Sequence, residues 1–174
     1  MKIKRIWGLV AAIALISVIG ILGASCTSPS NAAAAPPPTA PKAAQNLVLA
    51  SDIVTGSGGT VKAASACVLS NIYKRGNQVV FRVRVYDPIT GQPMDDKALS
   101  SVVVTLPDGQ TFTAKYGGHP AKSPVDYFWA TSWVIPDSYP TGTLGYGVTA
   151  TATDGRTGKF DPFNVTPSLL AVIQ

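Results

Sequence analysis

The alternation of apolar and polar residues along the chain predicts a protein built from short β-strands. Valine or phenylalanine occupies every second position from Val79 to Val85, with Val80, Arg82 and Arg84 between them, and the segment 144–153 (LGYGVTATAT) has the same period. Successive side chains of a strand point to opposite faces. Each segment therefore predicts a strand with one buried face.

Turn signals divide the rest of the chain into further short strands. Asp108-Gly109 tolerates positive φ, so residues 101–106 and 111–116 are predicted to form a hairpin. Weaker strand candidates are 47–54, 67–73, 160–165 and 168–173. Together with the aromatic segment 127–135, this makes about eight strands and no helical period after the N-terminal segment, a pattern typical of an antiparallel β-sandwich.

The aromatic segment carries large side chains on both of its faces. Tyr127, Trp129 and Trp133 share one face, and Phe128 and Val134 share the other. Such a strand is expected in the middle of a sheet, with one face in the core and the other covered or used for contact. Two interpretations follow for the tryptophans. They either fill the core, or they form with Tyr127 a platform for sugar rings or an anchor for a protein partner.

The N-terminal segment has the pattern of a bacterial export signal. Lys2, Lys4 and Arg5 precede an almost unbroken apolar run at 6–22, which ends in small residues. A basic start, an apolar run and small residues at the end are the features of a signal peptide. Residues 1–25 are therefore predicted to be a signal peptide and are set apart from the fold.

The end of this segment, Gly23-Ala24-Ser25-Cys26, resembles the lipobox of bacterial lipoproteins. The resemblance implies that Cys26 receives lipid and anchors the chain to a membrane. Two other modes of attachment fit the same residues: an uncleaved apolar anchor, or cleavage near residues 33–35 and secretion. All three place the protein outside the cytoplasm, and lipid attachment at Cys26 would place it in the bacterial cell envelope.

Residues 26–46 predict a tether between the anchor and the folded part. The segment is rich in Ala and Pro and poor in large apolar side chains, so it cannot bury enough surface to fold. In the polyproline conformation it would span about 60 Å. Residues 47–174 then have the length of one ordinary domain.

The charge balance argues against a nucleic-acid partner. The whole chain has 14 Lys and Arg against nine Asp. Three of the basic residues belong to the signal segment, so the remainder carries about +2, with its positive charges scattered. No basic patch is predicted that would follow a phosphate backbone.

The residues 139–158 (YPTGTLGYGVTATATDGRTG) are similar to the end of a bacterial immunoglobulin-like or fibronectin-like domain. In such domains a Pro/Gly corner precedes a Tyr-x-Val-x-Ala strand and an Asp-Gly turn. The resemblance covers residues 67–174 at most, and it implies that the domain at 47–174 is an immunoglobulin-like sandwich of about seven to eight antiparallel strands. It also implies that Tyr146 is a corner tyrosine, with its hydroxyl bonded to nearby backbone.

Most of the acidic residues are predicted to meet at one end of the sandwich. If strands alternate in direction, the loops 87–99, 117–126 and 154–158 share a pole. A calcium site is one interpretation, because Ca²⁺ takes oxygen ligands from flexible loops. The other is that these aspartates are local turn acceptors. The candidate ligands are Asp87, Asp95, Asp96 and Asp154.

The chain lacks the residue sets that catalysis and tight metal binding use. His119 is the single histidine and is predicted to be exposed in a loop, and no GxSxG motif occurs. Cys67 has no CxxC partner and is predicted to be a small buried hydrophobe. No catalytic residue and no cofactor are predicted.

These observations together predict a non-catalytic binding or assembly module of the cell envelope. Cys26 would attach it to the membrane, and another envelope protein or complex would be its partner. The alternative is a module that binds a carbohydrate or depends on calcium for ligand binding. The candidate contact surface consists of Tyr127, Trp129 and Trp133.

Overall fold

A computed structural model of the chain describes residues 46–165 and 168–174. The predicted signal peptide at 1–25, the lipidation site Cys26 and nearly all of the tether at 26–46 lie outside the described residues. Within the described part, no helix has the length and apolar character needed to cross a membrane. This part of the chain is all-β, as the alternation of residues predicts.

The chain forms eleven strands in the described part. The first six are β1 (Val48–Gly59), β2 (Ile72–Lys74), β3 (Asn77–Tyr86), β4 (Leu99–Thr105), β5 (Thr111–Thr113) and β6 (Lys115–His119). The remaining five are β7 (Asp126–Val134), β8 (Gly142–Leu144), β9 (Gly147–Ala152), β10 (Thr157–Phe160) and β11 (Leu170–Ile173). The aromatic segment is β7, and the Leu144 segment divides into β8 and β9.

The strands form two four-stranded sheets and one three-stranded sheet. The first has the order β1-β3-β7-β6 and the second the order β10-β9-β4-β5, both antiparallel throughout. The third has the order β2-β11-β8, in which β11 pairs with β2 in parallel and with β8 antiparallel. The sheets pack together around one hydrophobic core.

The core confirms the period-two pattern on which the strand predictions rest. Val79, Phe81, Val83 and Val85 of β3 are all buried, and the side chains between them are only half-buried or exposed. From the second sheet, Val102 and Val104 of β4 and alternate residues of β9 are buried opposite them. The two facing layers thus use the apolar side chains on one face of each strand.

The predicted hairpin at 101–116 forms only in part. Thr111–Thr113 pairs with β4, but Lys115–His119 pairs with β7 in the first sheet. The chain changes sheets at Ala114. This residue is buried, and its backbone N–H donates to Val102 O at 2.8 Å. The prediction that 111–116 is one strand paired with 101–106 is therefore wrong, because the chain bends from the second sheet into the first within this segment.

The third sheet places the C-terminal strand in the core. Leu170 and Val172 of β11 are buried, and Tyr73 of β2 is buried beside them. Asn77 is buried as well, and its side chain joins the neighbouring segments: Oδ1 accepts from Lys74 N at 2.8 Å and Nδ2 donates to Val61 O at 2.9 Å. These contacts join the third sheet to the beginning of β3.

Candidate functional site

The two tryptophans of β7 lie in the core. Trp129 is 6% exposed and Trp133 is 4% exposed. The indole Nε1 of Trp129 donates to Met94 O at 3.1 Å. The Trp133 ring lies 4.8 Å from the Tyr139 ring and 6.4 Å from the Phe112 ring of the second sheet. The structure therefore agrees with the interpretation in which the tryptophans fill the core.

The predicted surface of Tyr127, Trp129 and Trp133 is consequently not formed. Only Tyr127 is accessible, with 58% of its surface exposed, and its ring lies 6.0 Å from that of Tyr116. The tryptophans are buried for a simple physical reason. The face of β7 that carries the tryptophans packs against the second sheet, where burial of large aromatic side chains stabilises the fold most.

The opposite face of β7 is covered by neighbouring polar side chains. The Phe128 ring lies 4.9 Å from the His119 ring and 5.7 Å from the guanidinium carbon of Arg82. Arg82 in turn donates to both carboxylate oxygens of Asp52, at 2.7 and 2.6 Å, which raises the pKa of Arg82. His119 is exposed as predicted, although it ends β6 instead of lying in a loop.

The acidic pole is organised by an arginine. Arg156 Nη2 lies 2.8 Å from Asp87 Oδ2, and its Nε lies 2.8 Å from Asp154 Oδ2. The backbone N–H of Thr153 donates to Ala98 O at 3.0 Å, so the two loops do meet at one end of the molecule. The guanidinium group of Arg156 therefore supplies the positive charge beside Asp87 and Asp154 that the calcium interpretation assigns to a metal ion.

The remaining carboxylate oxygens of the candidate calcium ligands serve as turn acceptors. Asp87 Oδ1 accepts from the backbone N–H groups of residues 89 and 90 at 2.7 and 3.1 Å. Asp95 Oδ1 accepts from those of residues 97 and 98 at 3.0 and 3.1 Å, and Asp96 is exposed. Within residues 46–165 and 168–174, no group of three or more His, Cys, Asp or Glu is placed to hold a metal ion. The four aspartates are thus not assembled as calcium ligands.

The Asp87–Arg156 contact predicts a specific dependence of stability on pH. The hydrogen bond from Arg156, followed by that from the Ile89 N–H, lowers the pKa of Asp87 below its usual 3.8. A carboxyl group with a lowered folded pKa stabilises the protein above its unfolded pKa. That stabilisation is lost as the pH falls through the folded pKa.

We therefore expect Asp87→Asn to lower the melting temperature most above about pH 5. The difference from the parent protein should shrink as the pH falls below about 4. Thermal unfolding followed by circular dichroism between neutral and acid pH measures it. The same substitution in an Arg156→Ala background is the control, and an undiminished pH dependence there would show that Arg156 is not the cause.

Two single-residue predictions also differ from the structure. Cys67 is exposed and adopts a φ of 61° in a turn, where its N–H donates to Thr55 O at 2.7 Å. It is therefore not a buried hydrophobe. The hydroxyl of Tyr146 lies 3.4 Å from Ser51 Oγ on β1, so it bonds across the sandwich and not to nearby backbone. Burial raises the pKa of Tyr146.

A cleft of about 550 Å³ opens beside β1. It is lined by residues of β1, by the segment 69–71 before β2, by Tyr146, and by the end of β10 with the residues that follow it. A volume of this size is typical of sites that hold a small molecule or a few side chains. We call this space the β1 cleft.

Half of the residues that line the β1 cleft are apolar or aromatic. Ile53 and Tyr146 are buried, and the Phe160 ring lies 6.2 Å from the Tyr146 ring. Leu69 and Phe163, in contrast, are 66% and 82% exposed. Both residues lie in segments predicted as weak strands, 67–73 and 160–165. In the structure β2 begins only at Ile72 and β10 ends at Phe160, so Leu69 and Phe163 lie outside the strands.

The charges of the β1 cleft all have one sign. Among its lining residues, all of which lie in the described part of the chain, Asp52 and Asp161 are acidic and none is basic. Asp52 is bonded to Arg82 as described above. Asp161 forms no hydrogen bond or ion pair with any described residue. The cleft thus combines aromatic side chains with a carboxylate that no described residue pairs.

No protein-family model, no curated protein and no solved structure matches the chain.

Proposed function

We propose that the chain is a non-catalytic binding or assembly module of the bacterial cell envelope. The lipidated Cys26 holds it at the membrane, and residues 26–46 extend the folded part toward its partner. The partner is another envelope protein, and the β1 cleft contacts it. The observation that carries this proposal is the exposure of Leu69 and Phe163 beside a cleft of about 550 Å³.

Exposed apolar side chains at a concave site favour an interaction surface. Single apolar residues on a surface are ordinary, but apolar side chains that border a cleft mark sites where a partner excludes water. The other side of the first sheet offers a different kind of surface. Its groove of about 350 Å³ is lined by the ion pairs of Arg82 with Asp52 and of Arg84 with Asp126.

We infer that the all-β fold is an immunoglobulin-like sandwich. The two antiparallel four-stranded sheets around one core support this inference, as does a chain that passes from one sheet to the other at Ala114. The three-stranded third sheet is an addition to such a sandwich. A non-catalytic role is consistent with the acidic pole, where Arg156 and backbone amides already occupy the carboxylates of Asp87 and Asp95.

Site-specific photo-crosslinking in the producing cell tests the proposed function. We expect p-benzoyl-phenylalanine at position 163 to crosslink an envelope protein, because this exposed aromatic side chain would contact the partner. Position 113 on β5, which is exposed in the other sheet, is the control and should give no such product. Mass spectrometry identifies the captured protein. Equal products from both positions, or none from 163, would contradict the proposal.

A second candidate function rests on Tyr127. This exposed ring lies 6.0 Å from the ring of Tyr116, and amphipathic aromatic rings can stack on sugars. A glycan-binding module would use this pair. Loss of glycan binding on Tyr127→Ala, with binding unchanged on Phe163→Ala, would favour this candidate over the protein-binding one.

A further inference from the structure

We infer that the β1 cleft binds a basic side chain, lysine or arginine, presented by the partner protein. This inference rests on the proposed function and adds the chemistry of the partner segment. The cleft brings together Tyr146, Phe160 and Phe163 with the carboxylates of Asp52 and Asp161, and no basic residue lines it. Aromatic rings and carboxylates together are complementary to an organic cation.

The aromatic side chains provide the first part of this complementarity. The face of an aromatic ring carries a partial negative charge and attracts a cation placed over it. Tyr146 and Phe160 lie with their ring centroids 6.2 Å apart, and the exposed ring of Phe163 belongs to the same cleft. The aliphatic stem of a lysine or arginine would pack on these rings, since such side chains bury their methylene groups against apolar surface.

The carboxylates provide the second part. Asp52 already accepts two hydrogen bonds from Arg82, so its charge is largely balanced within the protein. Asp161 has no such partner among the described residues, and it is exposed at the cleft. A cation bound there would form an ion pair that no described residue supplies.

The cleft is also large enough for more than one side chain. Its volume of about 550 Å³ leaves room beside a guanidinium or ammonium group for a neighbouring apolar side chain. Leu69 and Ile53 would contact such a residue. The partner segment is therefore expected to carry a basic residue flanked by apolar residues.

Three peptides that differ in one residue test the inference. The probes are acetyl-Gly-Leu-Arg-Leu-Gly-amide and its analogues with citrulline or glutamate in place of arginine. Citrulline keeps the shape of arginine without its charge. Titration of the purified full chain, followed by amide shifts in NMR spectra, gives the site and the dissociation constant. We expect the arginine peptide to shift residues around Leu69 and Phe163 and to bind about tenfold more tightly than the citrulline peptide.

Three variants show whether the β1 cleft is responsible. Asp161→Asn should reduce the preference for arginine over citrulline to less than about threefold, because the negative charge of Asp161 is removed. Phe163→Ala should weaken both peptides, because both lose packing on the ring, and the arginine peptide more, because its cation also loses the ring face. Asp137→Asn, outside the cleft, should change neither affinity. All three substitutions replace exposed side chains and leave the core unchanged, so we expect each variant to fold.

Several outcomes would overturn the inference. These are equal affinity for arginine and citrulline, an unchanged preference in Asp161→Asn, shifts centred on Tyr127, or no binding by any peptide up to about 10 mM. Binding of the cleft to Lys42 of the chain's own tether would also overturn it, and Lys42→Ala would then strengthen peptide binding. Crosslinking from position 163 tests the proposed function independently of the peptide result, because it detects a partner protein whether or not that partner presents a basic side chain.

Discussion

Replacing Trp133 by alanine should lower the free energy of unfolding by about 3–5 kcal/mol. The side chain is buried between the two large sheets, where it contacts the rings of Phe112 and Tyr139. Its removal takes away buried apolar surface and leaves a cavity that its neighbours fill only in part. Urea unfolding followed by far-UV circular dichroism measures the change.

The adjacent residue provides a matched control. Val134 lies on the same strand with its side chain exposed, so Val134→Ala should cost less than about 1 kcal/mol. If Trp133→Ala does not fold, the milder Trp133→Phe should still be less stable than Val134→Ala. Similar losses at positions 133 and 134 would show that the faces of β7 are not assigned correctly.

Replacing Leu170 by alanine should cost about 2–5 kcal/mol, although this residue lies only a few positions from the C-terminus. Leu170 is completely buried and belongs to the single hydrophobic core. Its strand, β11, joins β2 to β8 and so holds the third sheet together. The same unfolding measurement applies to this variant.

The other end of β11 supplies the comparison for Leu170. Ile173 is exposed, and Ile173→Ala removes a similar amount of apolar side chain from a surface position. We expect a loss below about 1 kcal/mol there. If Leu170→Ala were as harmless as Ile173→Ala, β11 would not be an integral part of the core.

Strands with a clear period could be predicted from the sequence. The alternation from Val79 to Val85 defines the buried face of β3, and the same rule places the valines and alanines of β9 inward. In the aromatic strand the rule predicted two faces but could not choose between them. Both faces carry large side chains, and the choice depends on the second sheet, which is distant in sequence.

Features that depend on pairing between distant segments could not be predicted. The change of sheet at Ala114 interrupts a segment whose local pattern is that of one strand. The parallel pairing of β11 with β2 joins residues about a hundred positions apart, and no local period indicates it. The exposure of Cys67 follows from its turn conformation, whereas its apolar neighbour Val68 had suggested burial.

The sites show the same limit. The sequence correctly placed the loops of Asp87 and Asp154 at one pole, because strand direction determines which loops meet. The sequence does not show whether a metal ion or Arg156 balances the negative charge of these two aspartates. The β1 cleft was not predicted, since Ser51, Leu69, Tyr146 and Phe163 come from four separate segments.

The most direct test of the proposed partner surface compares two exposed aromatic positions. Phe163 borders the β1 cleft, and Tyr127 lies on β7 near the opposite edge of the first sheet. With p-benzoyl-phenylalanine at each position in turn, in the chain that retains Cys26, we predict a specific envelope-protein crosslink from position 163 and none from 127. A crosslink from position 127 with none from 163 would contradict the assignment of the β1 cleft as the binding surface.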